Sequence, residues 1–268
     1  MKLPSLVPLR LRGLARKLRF ARQNASFVPR VVSKTIGGVT FDFLLGDATG
    51  AEWYGEALGL SRELTFLRER MASPGDVVLE CGAHHGFTTL LLANWIGPTG
   101  HVTAFEASPS SAKILQENVA RNHLEDRITV EAKAVGARAG SLSVTAESNA
   151  IALTGRHAGG VNVPTVPLDA YADLEPTLIK LDVEGFEIEA LRGAARILRR
   201  RPKWAIEVHV DMLPRYGHRA DDLFELIRPD DYELWLQRGA DAVPRPYARE
   251  RLNDQHMDQV HLYAFPRG

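Results

Sequence analysis

The chain has 268 residues, 45% of them hydrophobic and 25% charged, and its 33 Lys and Arg balance 33 Asp and Glu. That length and composition fit one large domain with a well-buried core and a short appendage, and they exclude low-complexity and disulfide-stapled classes. The single cysteine, Cys81, leaves no intramolecular disulfide and fits a reducing compartment, while no apolar run approaches the roughly 18 residues of a membrane-spanning helix.

The neutral balance hides an uneven distribution. Residues 1–41 hold nine Lys or Arg and no acid, leaving 24 basic and 33 acidic residues in the other 227. An acidic body argues against nucleic acid as a partner, since a phosphate-binding surface needs clustered positive charge. Within the basic arm (1–40), Leu11, Leu14, Ala15 and Leu18 share one helical face, and Arg10, Arg12, Arg16, Lys17 and Arg19 fill much of the rest. Two readings stand: a helix on an anionic membrane surface, or an arm packed on its own domain. An organellar presequence shares this composition, whereas Pro4, Pro8 and Arg10 interrupt any secretory core. The expected location is cytoplasmic, and peripheral membrane contact through the arm belongs to the first of those two readings.

Residues 41–74 read as a lead-in to the main domain at 75–268. A hairpin is expected over 36–46, then a helix over about 50–72 with Leu60, Leu64, Leu67 and Met71 at helical spacing, ended by Ser73-Pro74-Gly75. From there strands and helices alternate. Strands are expected at 77–81, 101–106, 128–135, 178–183, 204–209, 232–236 and 259–265, and helices at 86–96, 109–122, 187–200 and 220–228. Ser108 and Pro109 mark the start of the second helix, whose inner face holds Ile114, Leu115, Val119 and Leu124. Residues 136–170 carry the alternation of a hairpin. The fold class is therefore α/β: a mostly parallel, seven-stranded, Rossmann-like sheet with helices on both faces and an antiparallel C-terminal strand pair.

Function is sought in the turn after the first of these strands, Glu80-Cys81-Gly82-Ala83-His84-His85-Gly86, with Glu106 twenty residues after Gly86. A dinucleotide site also places an acid there, but it needs a glycine where His84 stands so that a pyrophosphate can approach the backbone. Glu80 would repel phosphate as well. S-adenosylmethionine, with a cationic amino-acid end and no phosphate, avoids both conflicts. Its methionine part would lie along Glu80, Gly82, Ala83, His84 and Gly86, its ribose hydroxyls on Glu106, and its remaining contacts at Ala107 and Ala134. An NAD-dependent enzyme and a binding protein without turnover are the alternatives.

The motifs resemble those of the FkbM family, a branch of the class I S-adenosylmethionine-dependent methyltransferases. They are the glycine turn, Phe105-Glu106-Ala107-Ser108-Pro109, Ile179-Lys180-Leu181-Asp182-Val183-Glu184-Gly185-Phe186-Glu187 and Glu207-Val208-His209, supported by Glu117-Asn118…Asn122, Val166-Pro167-Leu168-Asp169 and Leu191-Arg192-Gly193-Ala194. The similarity spans about 75–210. Two departures from the family pattern matter for the cofactor: Glu80 stands for its aspartate and His84 for its asparagine. The resemblance implies transfer of a methyl group to a hydroxyl of a sugar, glycolipid or secondary metabolite.

Such a transfer needs alignment and removal of a proton. Asp182 and His209 close adjacent strands, so His209 is the first choice of base, Asp182 the alternative, and Glu184 the third catalytic candidate. Bland roles are open for others. Glu187 would favour a helix dipole, Lys180 would pair with an acid, and Glu207 would sit on an exposed face. His256 and His261 read as surface or edge residues. Asp182, Asp211 and His209 only loosely suggest a divalent ion, and no metal is expected.

Overall fold

A computed structural model describes residues 24, 26–55, 59–144, 161–255 and 259–268. The basic arm's helix, His256 and the tip of the 136–170 insert lie outside them.

The chain opens with an antiparallel hairpin, β1 (Arg30–Ile36) and β2 (Val39–Leu45), turning at Gly37 and Gly38, both at positive φ. Its first strand begins six residues before the expected range. Instead of one lead-in helix, two pieces follow: α1 (Ala48–Tyr54), and α2 (Arg62–Phe66), which runs on into a π-helical turn at Leu67–Met71. Each has its own cap, because Asp47 accepts the N–H of Gly50 and Ser61 that of Leu64.

The remaining elements are β3 (Val77–Cys81), α3 (Phe87–Trp95), β4 (His101–Phe105), α4 (Pro109–Arg121), β5 (Ile128–Glu131), β6 (Ala134–Val135), β7 (Gly140–Val144), β8 (Val161–Val166), β9 (Leu178–Leu181), α5 (Glu187–Arg192), α6 (Ala195–Arg200), β10 (Lys203–Val208), β11 (Tyr232–Gln237), β12 (Arg245–Pro246) and β13 (Val260–Pro266). The main sheet is eight-stranded, in the order β12-β11-β13-β10-β9-β3-β4-β5. The strands from β10 to β5 in that order run parallel, and β13 lies antiparallel between β10 and β11. The strand beyond the expected seven is β12, two residues paired to β11. It is too short to show periodicity, and Pro246, lacking an N–H, suits a sheet edge.

The expected strand over 128–135 divides. Lys133 donates to the Glu131 carbonyl, turning the chain so that β5 stays in the main sheet while β6 joins a three-stranded sheet with β8 and β7. The helix expected over 187–200 breaks at Gly193, where an added Cβ would come within 2.1 Å of the Gly136 carbonyl oxygen. Asp169 then caps the second half by accepting the N–H groups of Arg196 and Ile197. Residues 220–225 form a 3₁₀ turn rather than an α-helix.

Both sheet faces are covered, so the central strands read as near-continuous apolar runs. Helices α5 and α6 cover one face, over Leu79, Ile179, Leu181 and Ile206. The other packs Val78, Val102 and Leu178 under α3, α4, the hairpin and α2. Among the described residues no helix is long and apolar enough to cross a membrane.

One polar clamp holds the hairpin in place. Asn118 is fully buried on α4, accepts the Leu44 N–H at 2.6 Å, and donates to the carbonyls of Leu44 and His85. One turn on, Asn122 repeats the pattern on both backbone groups of Asp42. Replacing Asn118 with Ala leaves an N–H and two carbonyls buried without it. The expected outcome is a loss of about 3 kcal/mol in chemical denaturation, against about 1 kcal/mol for the more exposed Asn122→Ala; equal losses would show that the clamp is not specific.

Candidate functional site

Chain connections from β3 and β9, neighbours in the sheet, leave toward opposite faces, and the crevice between them is where such sheets bind ligands. Here it opens into a cavity of about 800 Å³, within the range of small-molecule sites.

Gly82 is dictated by the sheet. Its φ is +88°, and a Cβ there would lie 1.7 Å from the Asp182 carbonyl oxygen. Gly86, at φ +89°, closes the turn and starts α3; a Cβ would strike Leu115, and it does not line the cavity. Of the residues expected to contact the cofactor, Gly86 thus packs, whereas Glu80, Gly82, Ala83, His84, Glu106, Ala107 and Ala134 all line the cavity.

Glu106 is fixed at both oxygens, by the backbone N–H of His84 at 2.7 Å and that of Ser108 at 2.7 Å. Each oxygen keeps a lone pair, so the carboxylate is set to accept two adjacent hydroxyls. Burial raises its pKa, and the two backbone donors oppose that rise. Glu80 is 1% exposed, and its Oε2 has no hydrogen-bond partner. Burial pushes it up to about 7, against the pull of Lys180 and the neighbouring Thr89 hydroxyl. A carboxylate that lines the cavity and keeps an orphaned oxygen suits an ammonium donor. Beyond Glu106, Ala107, Ala134 and Leu142 form an apolar slot. A diol acceptor, an ammonium acceptor and a flat apolar slot are the three ends that S-adenosylmethionine requires.

His84 does not face solvent. It sits at φ +50°, a conformation the family's asparagine also tolerates, stacks on His85 with ring centroids 3.9 Å apart, and has Nδ1 2.9 Å from the Tyr54 hydroxyl. Burial and the adjacent His85 lower it to about 3, so the ring is neutral. Tyr54, which stacks on Phe87, and Asp47, 3.4 Å from His85, bring α1 against the turn. The sequence carries a sign of this only in the paired aromatics Trp53-Tyr54.

Across the crevice the expected catalytic residues converge. His209 is 5% exposed, and its Nδ1 lies 2.7 Å from Glu187 Oε1. Its Nε2 therefore turns to the cavity, 3.5 Å from Glu184 Oε2, 3.8 Å from Glu207 and 4.0 Å from Asp182 Oδ1. Burial disfavours the imidazolium, but the hydrogen bond and charge of Glu187, then Asp182 and Glu184, outweigh it and raise His209 to about 10. Burial would raise Asp182, yet Lys180 and His209 hold it below the usual carboxylate range. Burial takes Glu184 up to about 7.

Several bland readings give way here. Glu187 is fully buried and also accepts the Gly185 N–H, so it orients His209 rather than merely favouring a helix dipole. Glu207 lines the cavity with its side chain 15% exposed, and is not on an exposed face. His261 is 3% exposed on the interior strand β13, not at a surface or edge. Lys180 pairs with an acid as expected, its Nζ 3.3 Å from Asp182 Oδ2. Asp182, Glu184 and His209 each offer a ligand atom within 4.8 Å of the others, the set among the expected residues that could hold a metal ion; Asp211 lines the cavity outside it.

Comparison with known proteins agrees with this geometry. The methyltransferase FkbM domain model matches residues 80–234, more than half of the chain. Hexuronic acid methyltransferase AglP of Haloferax volcanii is 27% identical over 154 residues, 54% of this chain and 60% of that protein. Arsenite methyltransferase of Halobacterium salinarum is 39% identical over 54 residues, 20% of this chain and 14% of that one. The chain thus spans 60% or less of the length of these curated relatives. A solved S-adenosylmethionine-dependent methyltransferase from Aquifex aeolicus aligns over 76% of this chain and 89% of that one, at 15% identity and a TM-score of 0.43. On the family match, the chain belongs to the FkbM methyltransferases, whose methyl donor is S-adenosylmethionine.

Proposed function

We propose that the protein is an O-methyltransferase acting on a hydroxyl of a sugar, glycolipid or secondary metabolite. The observation that carries this is His209, held through Nδ1 by the buried Glu187 with Nε2 facing the cavity between Asp182 and Glu184. That is the arrangement of a base oriented by a carboxylate. Similarity to a hexuronic acid methyltransferase supports a sugar among the acceptors, while at 27% identity it does not carry over that sugar's charge.

S-adenosylmethionine, when bound, supplies an activated methyl group that a hydroxyl oxygen attacks in line. Glu106 would hold its ribose hydroxyls, Ala107 and Ala134 its base, and Glu80 with the glycine turn its methionine end. On the other side, Asp182 and Glu184 orient the acceptor hydroxyl, and His209 takes its proton at Nε2. His209 does so only from its neutral form, while Glu187 and its other carboxylate neighbours favour the charged one. A further positive charge in the pocket shifts that balance toward the neutral imidazole.

Calorimetry against S-adenosylhomocysteine and NAD tests the cofactor; tight binding of NAD alone overturns the proposal. Glu106→Ala is expected to weaken S-adenosylhomocysteine at least about tenfold by removing the diol acceptor. His209→Ala should retain that affinity while transfer of labelled methyl into a host metabolite extract, read by mass spectrometry, falls by about 10²–10⁴. Normal transfer in this variant rules His209 out as the base.

The pH dependence gives a separate check. His209 of the free protein should titrate near pH 10 by NMR, and the rate of transfer should rise with pH as the neutral form grows. Glu187→Gln keeps a hydrogen-bond acceptor but removes the charge, so both the titration and the limb of the rate profile should move to lower pH. No movement would show that Glu187 does not set the proton affinity of His209.

A further inference from the structure

The catalytic and cofactor residues account for only part of the cavity. The same cavity reaches past His209 to Glu63, Glu207 and His261, none of which the transfer step uses. Strand register brings them together. Glu207 on β10 pairs directly with His261 on β13, which places their side chains adjacent on one sheet face, and α2 crosses that face with Glu63 3.8 Å from His261 Nδ1. Each of the three offers a ligand atom within 4.8 Å of the other two.

The second observation is an unsatisfied group. His261 is 3% exposed, and its Nε2 has no hydrogen-bond partner. A buried ring nitrogen without a partner is costly, and most such groups are satisfied in native proteins. The three residues line both the cavity and a small void between α2 and the sheet. The position along the sheet is also informative. In the strand order β4-β3-β9-β10-β13, Glu106 and Glu80 stand at the cofactor end, Asp182 and His209 at the centre, and His261 on the far side.

We propose, on the methyltransferase reading above, that Glu63, Glu207 and His261 form the acceptor subsite, that it binds an uncharged, hydroxyl-rich ring, and that it excludes anionic sugars. The chemistry follows from the groups. Two carboxyl groups accept or exchange hydrogen bonds with hydroxyls, and the free imidazole nitrogen completes a set suited to neighbouring hydroxyls of one ring. A ligand carboxylate, sulfate or phosphate would enter beside Glu63, Glu207, Asp182 and Glu184, and the two basic groups beside them, Lys180 and His209, already lie against Asp182 and Glu187. That lysine also disfavours a divalent ion in the cluster.

The test uses the full chain saturated with S-adenosylhomocysteine in a buffer containing EDTA. The reporter is the His261 ring signal in the NMR spectrum, identified by its loss in His261→Gln. Methyl hexopyranosides of gluco, galacto and manno configuration, and the matching hexuronosides, are titrated in turn. At least one neutral glycoside should move the signal saturably, and its uronoside should need at least about tenfold more to do so. Glu63→Gln should narrow that difference, because it removes one repelling charge while keeping a polar side chain. Equal or tighter binding of the uronosides overturns the proposal, as does a His261 signal that none of the neutral sugars moves. A neutral-sugar response seen only without EDTA overturns it in favour of a metal ion. Failure of S-adenosylhomocysteine to bind, read separately by calorimetry, removes the methyltransferase reading itself.

Discussion

The site depends on one backbone contact. Gly82 lies so close to the Asp182 carbonyl that no side chain fits between them, which brings the carboxyl ends of β3 and β9 together at the point where their connections part to opposite faces. Everything at the centre of the cavity follows from that approach. Glu80 and Lys180 become register partners, Asp182 emerges beside the cofactor turn, and β10 continues the row with Glu207 and His209. A bulkier residue at 82 would separate the two halves of the site before it touched any ligand.

The second theme is charge held away from water. Glu80, Glu106, Lys180, Glu187, His209 and His261 are all buried, and three of them, Glu106, Lys180 and His209, have a local partner that favours the charged form. Glu106 is held by two backbone donors, Lys180 by Asp182, and His209 by Glu187. In Glu80 and Glu184 burial outweighs the pull of Lys180 and of His209, and both are brought up to about 7. Perturbed proton affinities of opposite sign at neighbouring groups are a mark of sites that move protons.

Much of this was legible in the chain. Strands of the parallel core were placed within a few residues, because their apolar runs are bounded by glycine and proline, and the motif-bearing residues do gather at one crevice. What escaped notice had physical reasons. A glutamate or histidine inside a strand reads as a solvent-facing residue, since alternation alone does not say which face a helix will cover; α2 covers the face that holds Glu207 and His261. Glu63 and Tyr54 come from segments with no motif, and only tertiary packing brings them to the cavity. The break at Lys133 is a local turn onto the Glu131 carbonyl and that at Gly193 comes from contact with the distant Gly136 backbone, and periodicity reports neither. Conversely, Asn118 and Asn122 stood in a recognised pattern before their role was apparent: they hold a hairpin, and no cofactor.

The antiparallel insertion of β13 has a consequence for how the protein acquires its activity. Strands β3 and β4 follow one another in the chain, so the cofactor turn and Glu106 meet across a short connection. The rest of the crevice depends on distant closures. Strand β9 reaches β3 across the widest separation of any pair in the sheet, Val78 with Leu178, and β13 must slot between β10 and β11; such closures lose their entropy before their contacts are gained. A chain in which β13 had not docked would keep the cofactor turn on β3 and lack His261 on the wall proposed to receive the acceptor.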